Sequence, residues 1–178
     1  MKINAEKILL EKDFDLKKNI FFVSGNEETL INKVKTLLVQ NLKKKDFDEI
    51  EYFENIKINN PINELSGPSL FSSKKIMVFK NPTIENFSYL QEISEQTALI
   101  ILNTNSKKNI QVKKKFDSGQ SLYSIVCYEL SRSFKKKFFD IHISHNKLHI
   151  SKEAYWYFLD YSDNKYQIYE NELNKLTD

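Results

Sequence analysis

Between Asn19 and Tyr128 the chain carries five short apolar runs, none longer than seven residues, set apart by stretches with helical periodicity. The runs are Asn19–Ser24, Ile50–Phe53, Lys75–Lys80, Thr97–Leu102 and Leu122–Tyr128. Runs of this length, bounded by Gly, Asn or Pro, read as buried strands. Strands that alternate with helices need crossover connections, and these build a parallel sheet covered on both faces. Beyond Tyr128 no strand pattern recurs. Leu130–Ile143, Ser151–Tyr161 and Tyr166–Leu176 read as helices, the second with Ser151 as cap and Glu153 near its start. The predicted class is therefore α/β: a parallel sheet flanked by helices over residues 1–128, then a small all-helical domain over residues 129–178.

The helical stretches carry their own signals. Leu30, Ile31, Val34, Leu37, Leu38 and Leu42 recur at helix spacing, with Asn26, Glu27 and Glu28 before them and Lys43–Lys45 behind. Acid first and base last complements the helix dipole. Asn60-Pro61 opens a short helix that Gly67-Pro68 interrupts. Phe87, Leu90 and Ile93 predict another helix, and Lys107–Ser118 a basic one.

The composition narrows the function classes. In 178 residues, 40% are hydrophobic, so a real core is within reach, and 29% are charged, which suits a solvated surface. No apolar run approaches the roughly 18 residues that span a bilayer. The opening Met1-Lys2-Ile3-Asn4 leads into alternating charges, which is not the pattern of a secretory signal. Cys127 is the sole cysteine, so no disulfide can form within the chain. These features predict a cytoplasmic protein. The net charge is +3, and Arg132 is the only arginine. Lysine-rich, glycine-poor composition is a general bias, and it weakens the case that any one lysine run was placed for binding.

The turn Phe21-Phe22-Val23-Ser24-Gly25-Asn26-Glu27-Glu28 stands where a nucleotide-binding fold keeps its phosphate loop. Such a loop needs several glycines, a Lys and a Ser or Thr. Here Gly25 stands alone, and Glu27 and Glu28 would repel phosphate. No cofactor is predicted. His142, His145 and His149 are spaced for one helix face and could hold a metal, but only Asp140 stands near to complete a set. A polar surface explains them more simply, and no metal is predicted. Cys127 lies in an apolar strand and reads as a buried, inert thiol. No Gly-x-Ser-x-Gly elbow is present, and no catalytic residue is assigned.

Lysine clusters at Lys43–Lys45, Lys107-Lys108, Lys113–Lys115 and Lys135–Lys137 could touch phosphates, although solvated helix ends explain them as well. Tyr155, Trp156, Tyr157 and Phe158 could stack on bases or pack within the helical domain. Leu70-Phe71 stands out after Gly67-Pro68 in an otherwise polar segment. From the residues alone it is either a core anchor or an exposed plug for a partner's pocket.

Several of these motifs together resemble the bacterial DNA polymerase III delta subunit family, in its N-terminal part. The strand followed by Gly25-Asn26-Glu27-Glu28 resembles that family's opening, where a Gly-acidic motif replaces the phosphate loop. Ser69-Leu70-Phe71-Ser72 with the following Lys74–Asn81 is similar to its Ser-Leu-Phe segment and next strand. Thr97–Leu102 resembles a core strand of the family. Ile150-Ser151-x-x-Ala154 and Glu170–Leu176 resemble motifs of its second domain. The resemblance implies an AAA+-like fold that neither binds nor hydrolyses ATP. It implies a non-catalytic subunit of the polymerase III holoenzyme that binds and opens the beta sliding clamp during DNA replication. Ser69, Leu70 and Phe71 would be the clamp-binding residues, which turns Leu70-Phe71 from core to plug. Further partners would be the gamma/tau and delta-prime loader subunits. These would be met mainly through a third, collar domain, which the resemblance places beyond a helical lid that is incomplete at Leu176.

Two other readings stand beside this one. The chain could be a stand-alone nucleic-acid-binding module on a degenerate ATPase-like fold, which steep salt dependence of DNA binding would favour. It could also be an enzyme on the same scaffold, against which the lack of a convergent catalytic set argues.

Overall fold

Every residue of Thr97–Asn103 is buried, which requires strand neighbours on both sides and cover on both faces. A computed structural model describes residues 2–11, 19–62, 74–90, 93–105, 107–119 and 122–177, and it divides into two compact units, Met1–Cys127 and Tyr128–Asp178. In chain order the first unit holds β1 (Lys2–Asn4), α1 (Ala5–Leu10), β2 (Ile20–Gly25), α2 (Glu28–Lys43), β3 (Phe47–Glu54), β4 (Lys57–Ile58), β5 (Lys74–Lys80), β6 (Thr83–Ile84), a 3-10 turn (Phe87–Leu90), β7 (Thr97–Asn103), α3 (Ile110–Ser118) and β8 (Tyr123–Cys127). Six strands form one sheet in the order β1-β8-β2-β7-β5-β3, and each adjacent pair is parallel. β4 and β6 form a separate two-stranded parallel ladder.

The alternation of side chains along a strand assigns the two faces. Phe22, Met77, Phe79, Leu99 and Ile101 point to one face. There they join Ile58, Ile84, Leu90, Val112, Phe116 and Leu122 in one core cluster. Phe116 of α3 is central to it, 5.2 Å from the Phe22 ring and edge-on to Phe87 at 5.7 Å. The other face takes α2, which buries Leu30, Ile31, Val34, Leu38 and Leu42 as one stripe. β3 is the far edge strand, and its alternation of Asp and Glu with half-buried Ile50 and Phe53 suits a strand with one side in water.

Several elements differ from the expectations raised by the sequence. β1 and α1 lie in a stretch with no strand or helix signal of its own. β1 pairs with β8 from Lys2 to Asn4, and Asn4 caps α1 by accepting from Glu6 N at 3.1 Å. Of the helix predicted from Phe87, Leu90 and Ile93, the described residues Phe87–Leu90 form a 3-10 turn. α3 begins at Ile110, not Lys107, because Asn109 is left-handed (φ 58°), a conformation that Asn tolerates. Only Ile62 of the helix expected after Asn60-Pro61 lies among the described residues.

The second unit is helical: α4 (Arg132–Asn146), α5 (Lys152–Tyr161) and α6 (Tyr166–Asn174). Ser131 caps α4 and Ser151 caps α5 through their hydroxyls, which accept from Phe134 N and Ala154 N. Its core is aromatic: Phe139 lies 4.4 Å from Phe158 and 5.2 Å from Tyr155 between ring centres. The Lys135–Lys137 run divides here. Lys136 and Lys137 are exposed, but Lys135 is buried, 3% exposed. Its ammonium donates to Ser162 O at 2.8 Å, and Tyr169 Oη donates back to Lys135 O at 2.7 Å. Burial holds the Lys135 ammonium below its ordinary pKa, against the pull of Asp163 and Glu172.

Phe116→Ala should open a cavity between α3 and the sheet. A loss of about 3–5 kcal/mol in unfolding free energy is expected, read as a lower urea midpoint at unchanged slope.

Candidate functional site at the carboxyl edge of the sheet

Ligand sites of open parallel sheets lie outside the carboxyl ends of the strands, where the strand order reverses. Here the reversal is at β2. The chain leaves β2 for the β3 edge, returns through β5 and β7, and places β8 on the other side. The carboxyl end of β2 is Gly25, opposite Cys127 of β8. A Cβ at Gly25 would stand 1.7 Å from the Cys127 carbonyl oxygen. The glycine is therefore required by a close backbone approach, not by an unusual φ. Two residues on, Glu27 N donates to the same carbonyl at 3.3 Å, which straps the turn to the end of β8.

Glu27 then turns its own carboxylate onto the start of α2. Glu27 Oε2 accepts from Leu30 N at 2.8 Å and from Thr29 Oγ1 at 2.7 Å, while Oε1 accepts from Thr29 N at 3.2 Å. The side chain is 5% exposed. Free N–H groups at a helix start are what a phosphate would bind. In this chain the two donors are taken by an internal carboxylate, and an arriving phosphate would meet like charge. Glu28 adds a second carboxylate, 3.7 Å from the Lys80 ammonium, which also lies 3.3 Å from Glu54. Lys80 is thus already answered by two acids.

Cys127 closes the site from the β8 side. It is buried, and burial together with the Glu27 carboxylate pushes its thiol up to about 12. Ser24 Oγ, one residue before Gly25, is buried with no hydrogen-bond partner among the described residues. Among the described residues here, no set of groups has the geometry of a nucleophile beside a base.

Beside this edge stands an asparagine network that the sequence reading missed. Asn103 Nδ2, at the end of β7, donates to Asn105 O at 2.7 Å and Lys108 O at 3.3 Å. Asn109 Nδ2 donates to Asn103 Oδ1 at 3.1 Å and Pro82 O at 2.9 Å. Asn81 Oδ1 accepts from Thr104 N at 2.9 Å. The general richness in Asn concealed these positions; their one sequence signal is clustering in turns that follow strands.

The other predicted site residues fall as follows. Ser69, Leu70 and Phe71, with Gly67-Pro68, lie outside the described residues. The shared helix face expected for the three histidines does not form: α4 ends at Asn146, Lys147 turns left-handed (φ 54°), and His149 lies beyond. Among the described residues no three His, Cys, Asp or Glu side chains gather as metal ligands. Of the aromatic run, Tyr157 is 66% and Trp156 40% exposed, while Tyr155 and Phe158 pack on Phe139. No described helix is long and apolar enough to cross a membrane.

Comparison with known proteins bears on this geometry. The family model described as DNA polymerase III, delta subunit matches residues 21–126. Among solved structures, the Bacillus subtilis DNA clamp loader delta protein (YqeN) aligns with a TM-score of 0.64 at 16% identity, over 97% of this chain. The chain spans 57% of the length of that structure. Domain III of the Thermotoga maritima replication initiation protein DnaA aligns at 0.45 and 13% identity, over 95% of this chain and 80% of that one. AMPPCP-bound DnaA from Aquifex aeolicus aligns at 0.49 and 14% identity, over 97% and 59%. A search of curated proteins finds no match. The YqeN alignment shows a common fold, and the family model takes in β2, the Gly25 turn and every strand through β7.

Two outcomes are expected at this edge. Glu27→Ala should cost about 1–2 kcal/mol as a lost cap, and Gly25→Ala about 3 kcal/mol from the clash with Cys127 O, both read from urea unfolding. Iodoacetamide should label native Cys127 far more slowly than unfolded protein at pH 8, because a thiol at about 12 is almost wholly protonated there, and the native rate should keep rising with pH above 9 instead of levelling off. Unfolded protein should show the ordinary thiolate rise near pH 8.5.

Proposed function

Because the chain belongs to the DNA polymerase III delta subunit family, we propose that it acts as a clamp-loader delta protein, binding the beta sliding clamp and opening it without ATP hydrolysis of its own. The observation that carries this reading is the family match over residues 21–126, which takes in the Ser69-Leu70-Phe71 segment together with the strands on either side of it. The geometry at Gly25 supports the second half of the proposal. With Glu27 already bonded to Thr29 N and Leu30 N, the helix start offers no free cradle for a triphosphate.

In this reading Leu70 and Phe71 enter a hydrophobic pocket of one clamp protomer, and Ser69 precedes them as part of the same contact. A few buried aromatic and aliphatic anchors commonly carry most of an interface's energy. Opening then follows from differential affinity: the delta protein binds the sprung form of the clamp more tightly than the closed one, and only that difference can shift the ring. The gamma/tau and delta-prime loader subunits are its other proposed partners, and the cytoplasm its place of work.

The test is titration calorimetry of the chain against the beta clamp of its own source, beside a Leu70→Ala/Phe71→Ala double variant of confirmed fold. The wild-type chain is expected to bind. The double variant should lose about 2 kcal/mol or more, some thirtyfold in affinity. Binding that survives the double substitution would remove Leu70 and Phe71 from the interface. No binding by the wild-type chain would remove clamp contact from residues 1–178.

A further inference from the structure

A groove of about 480 Å³ lies within the second unit, between α5, the C-terminal end of α6 and Phe139 of α4. Phe139 and Phe158, packed ring on ring, line its inner side. Tyr157 and Tyr161 stand one turn apart on α5 with ring centres 4.5 Å apart, and they line its outer side. They are 66% and 74% exposed. Large rings left in water around a concave space mark a place where something apolar binds. The volume falls in the range of sites for small organic molecules, roughly 300–1,000 Å³.

The groove is not wholly apolar. Ser162, at the end of α5, and Glu172 of α6 also line it, and both are half-buried. Ser162 Oγ and Glu172 Oε2 are buried atoms with no hydrogen-bond partner among the described residues. Buried polar atoms left unpaired cost free energy, a carboxylate oxygen most of all, and that oxygen can only accept. No described cation lies within ion-pairing distance of Glu172. Lys135 gives its ammonium to Ser162 O at 2.8 Å, and Asp163 draws on its charge as well as Glu172. Lys175, also on the groove, is exposed and forms no ion pair with a described residue.

We propose that this groove binds a primary amine with an apolar or aromatic body. The body lies among Tyr157, Tyr161 and Phe158, and the ammonium seats on the Glu172 carboxylate. The last torsion of a Glu side chain is soft, so a turn of the carboxylate presents Oε2 to the ammonium. The negative faces of the rings add to the attraction. A small inorganic cation would leave the apolar volume empty, and an anionic amphiphile would meet the Glu172 charge. The site involves neither Leu70-Phe71 nor the clamp, so its test stands apart from that of the proposed function.

The experiment titrates the full chain, labelled with ¹⁵N, with phenylbutylamine, phenylbutanol and phenylbutyrate at neutral pH. The three probes share one body and differ in head-group charge. The amine should shift the amides of Ala154–Ser162 and of the end of α6, and bind at least about tenfold more tightly than the alcohol, as a charge-assisted hydrogen bond implies. Glu172→Gln keeps the shape and removes the charge. It should weaken the amine about tenfold and leave the alcohol unchanged. Ala154 lines the groove and is exposed, so Ala154→Leu fills the groove without touching the core and should weaken both. The proposal is overturned by an amine that binds no better than the alcohol, by undiminished binding to Glu172→Gln or Ala154→Leu, or by shifts confined to other parts of the chain. It is equally overturned by tighter binding of phenylbutyrate that Lys175→Gln abolishes, which would assign the groove to an anion. Dimerisation of the chain in sedimentation that Ala154→Leu abolishes would give the groove to a second copy instead.

Discussion

The carboxyl edge of the sheet depends on how closely β2 passes the end of β8. The Gly25 Cα comes so near the Cys127 carbonyl that no side chain fits between them. The same carbonyl accepts from Glu27 N. One acceptor therefore fixes both the last residue of β2 and the second residue of the turn. With the turn fixed, the Glu27 side chain has one place to go, inward over the start of α2. A loop that cradles phosphate must arch away from the strand so that its N–H groups converge on an empty volume. Here the turn is pressed flat on β8, and the helix donors are satisfied from within.

That packing has an electrostatic consequence. A carboxylate at 5% exposure is tolerated only where hydrogen bonds replace its water, and Glu27 receives three, from Thr29 N, Thr29 Oγ1 and Leu30 N. The positive end of the α2 dipole adds to them. The interaction serves the helix as a cap and leaves the edge closed to anions in one step. It also bears on Cys127, whose thiolate would sit buried beside that carboxylate and is disfavoured on both counts.

Much of the fold was legible in the sequence, because parallel strands buried on both faces must be continuous apolar runs, and helices on such a sheet must show a stripe. Ile20–Gly25, Lys74–Lys80 and Thr97–Asn103 meet the first condition, and Leu30 to Leu42 the second. β1 escaped because an edge strand of three residues with one half-buried side chain carries no pattern. The little β4–β6 ladder escaped for the same reason, at two residues each. Lys135 was misjudged because a lysine between two lysines reads as surface, while burial is decided by the helix face it occupies, next to Phe134. At the site, the strand ending at Gly25 and the acids that lead into α2 were legible from their residues. The cap was not, since Glu is no common N-cap residue. Its geometry comes from the Cys127 contact, about a hundred residues away in sequence.

A closed phosphate position also constrains how a protein of this shape can do work on a partner. A nucleotide-driven switch changes its preferred conformation when the γ-phosphate is gained or lost. The first unit has Glu27 at the helix start where such a phosphate would have to bind. Any change it imposes on a partner must be drawn from binding energy alone, through unequal affinity for two states of that partner. Binding energy of that kind is best delivered from a rigid base, because mobility in the binder would dissipate the difference. The parallel sheet, buried on both faces and closed at its carboxyl edge by Gly25 and Glu27, is such a base. The strapped turn and the capped helix start are therefore one physical feature, produced by the same few hydrogen bonds.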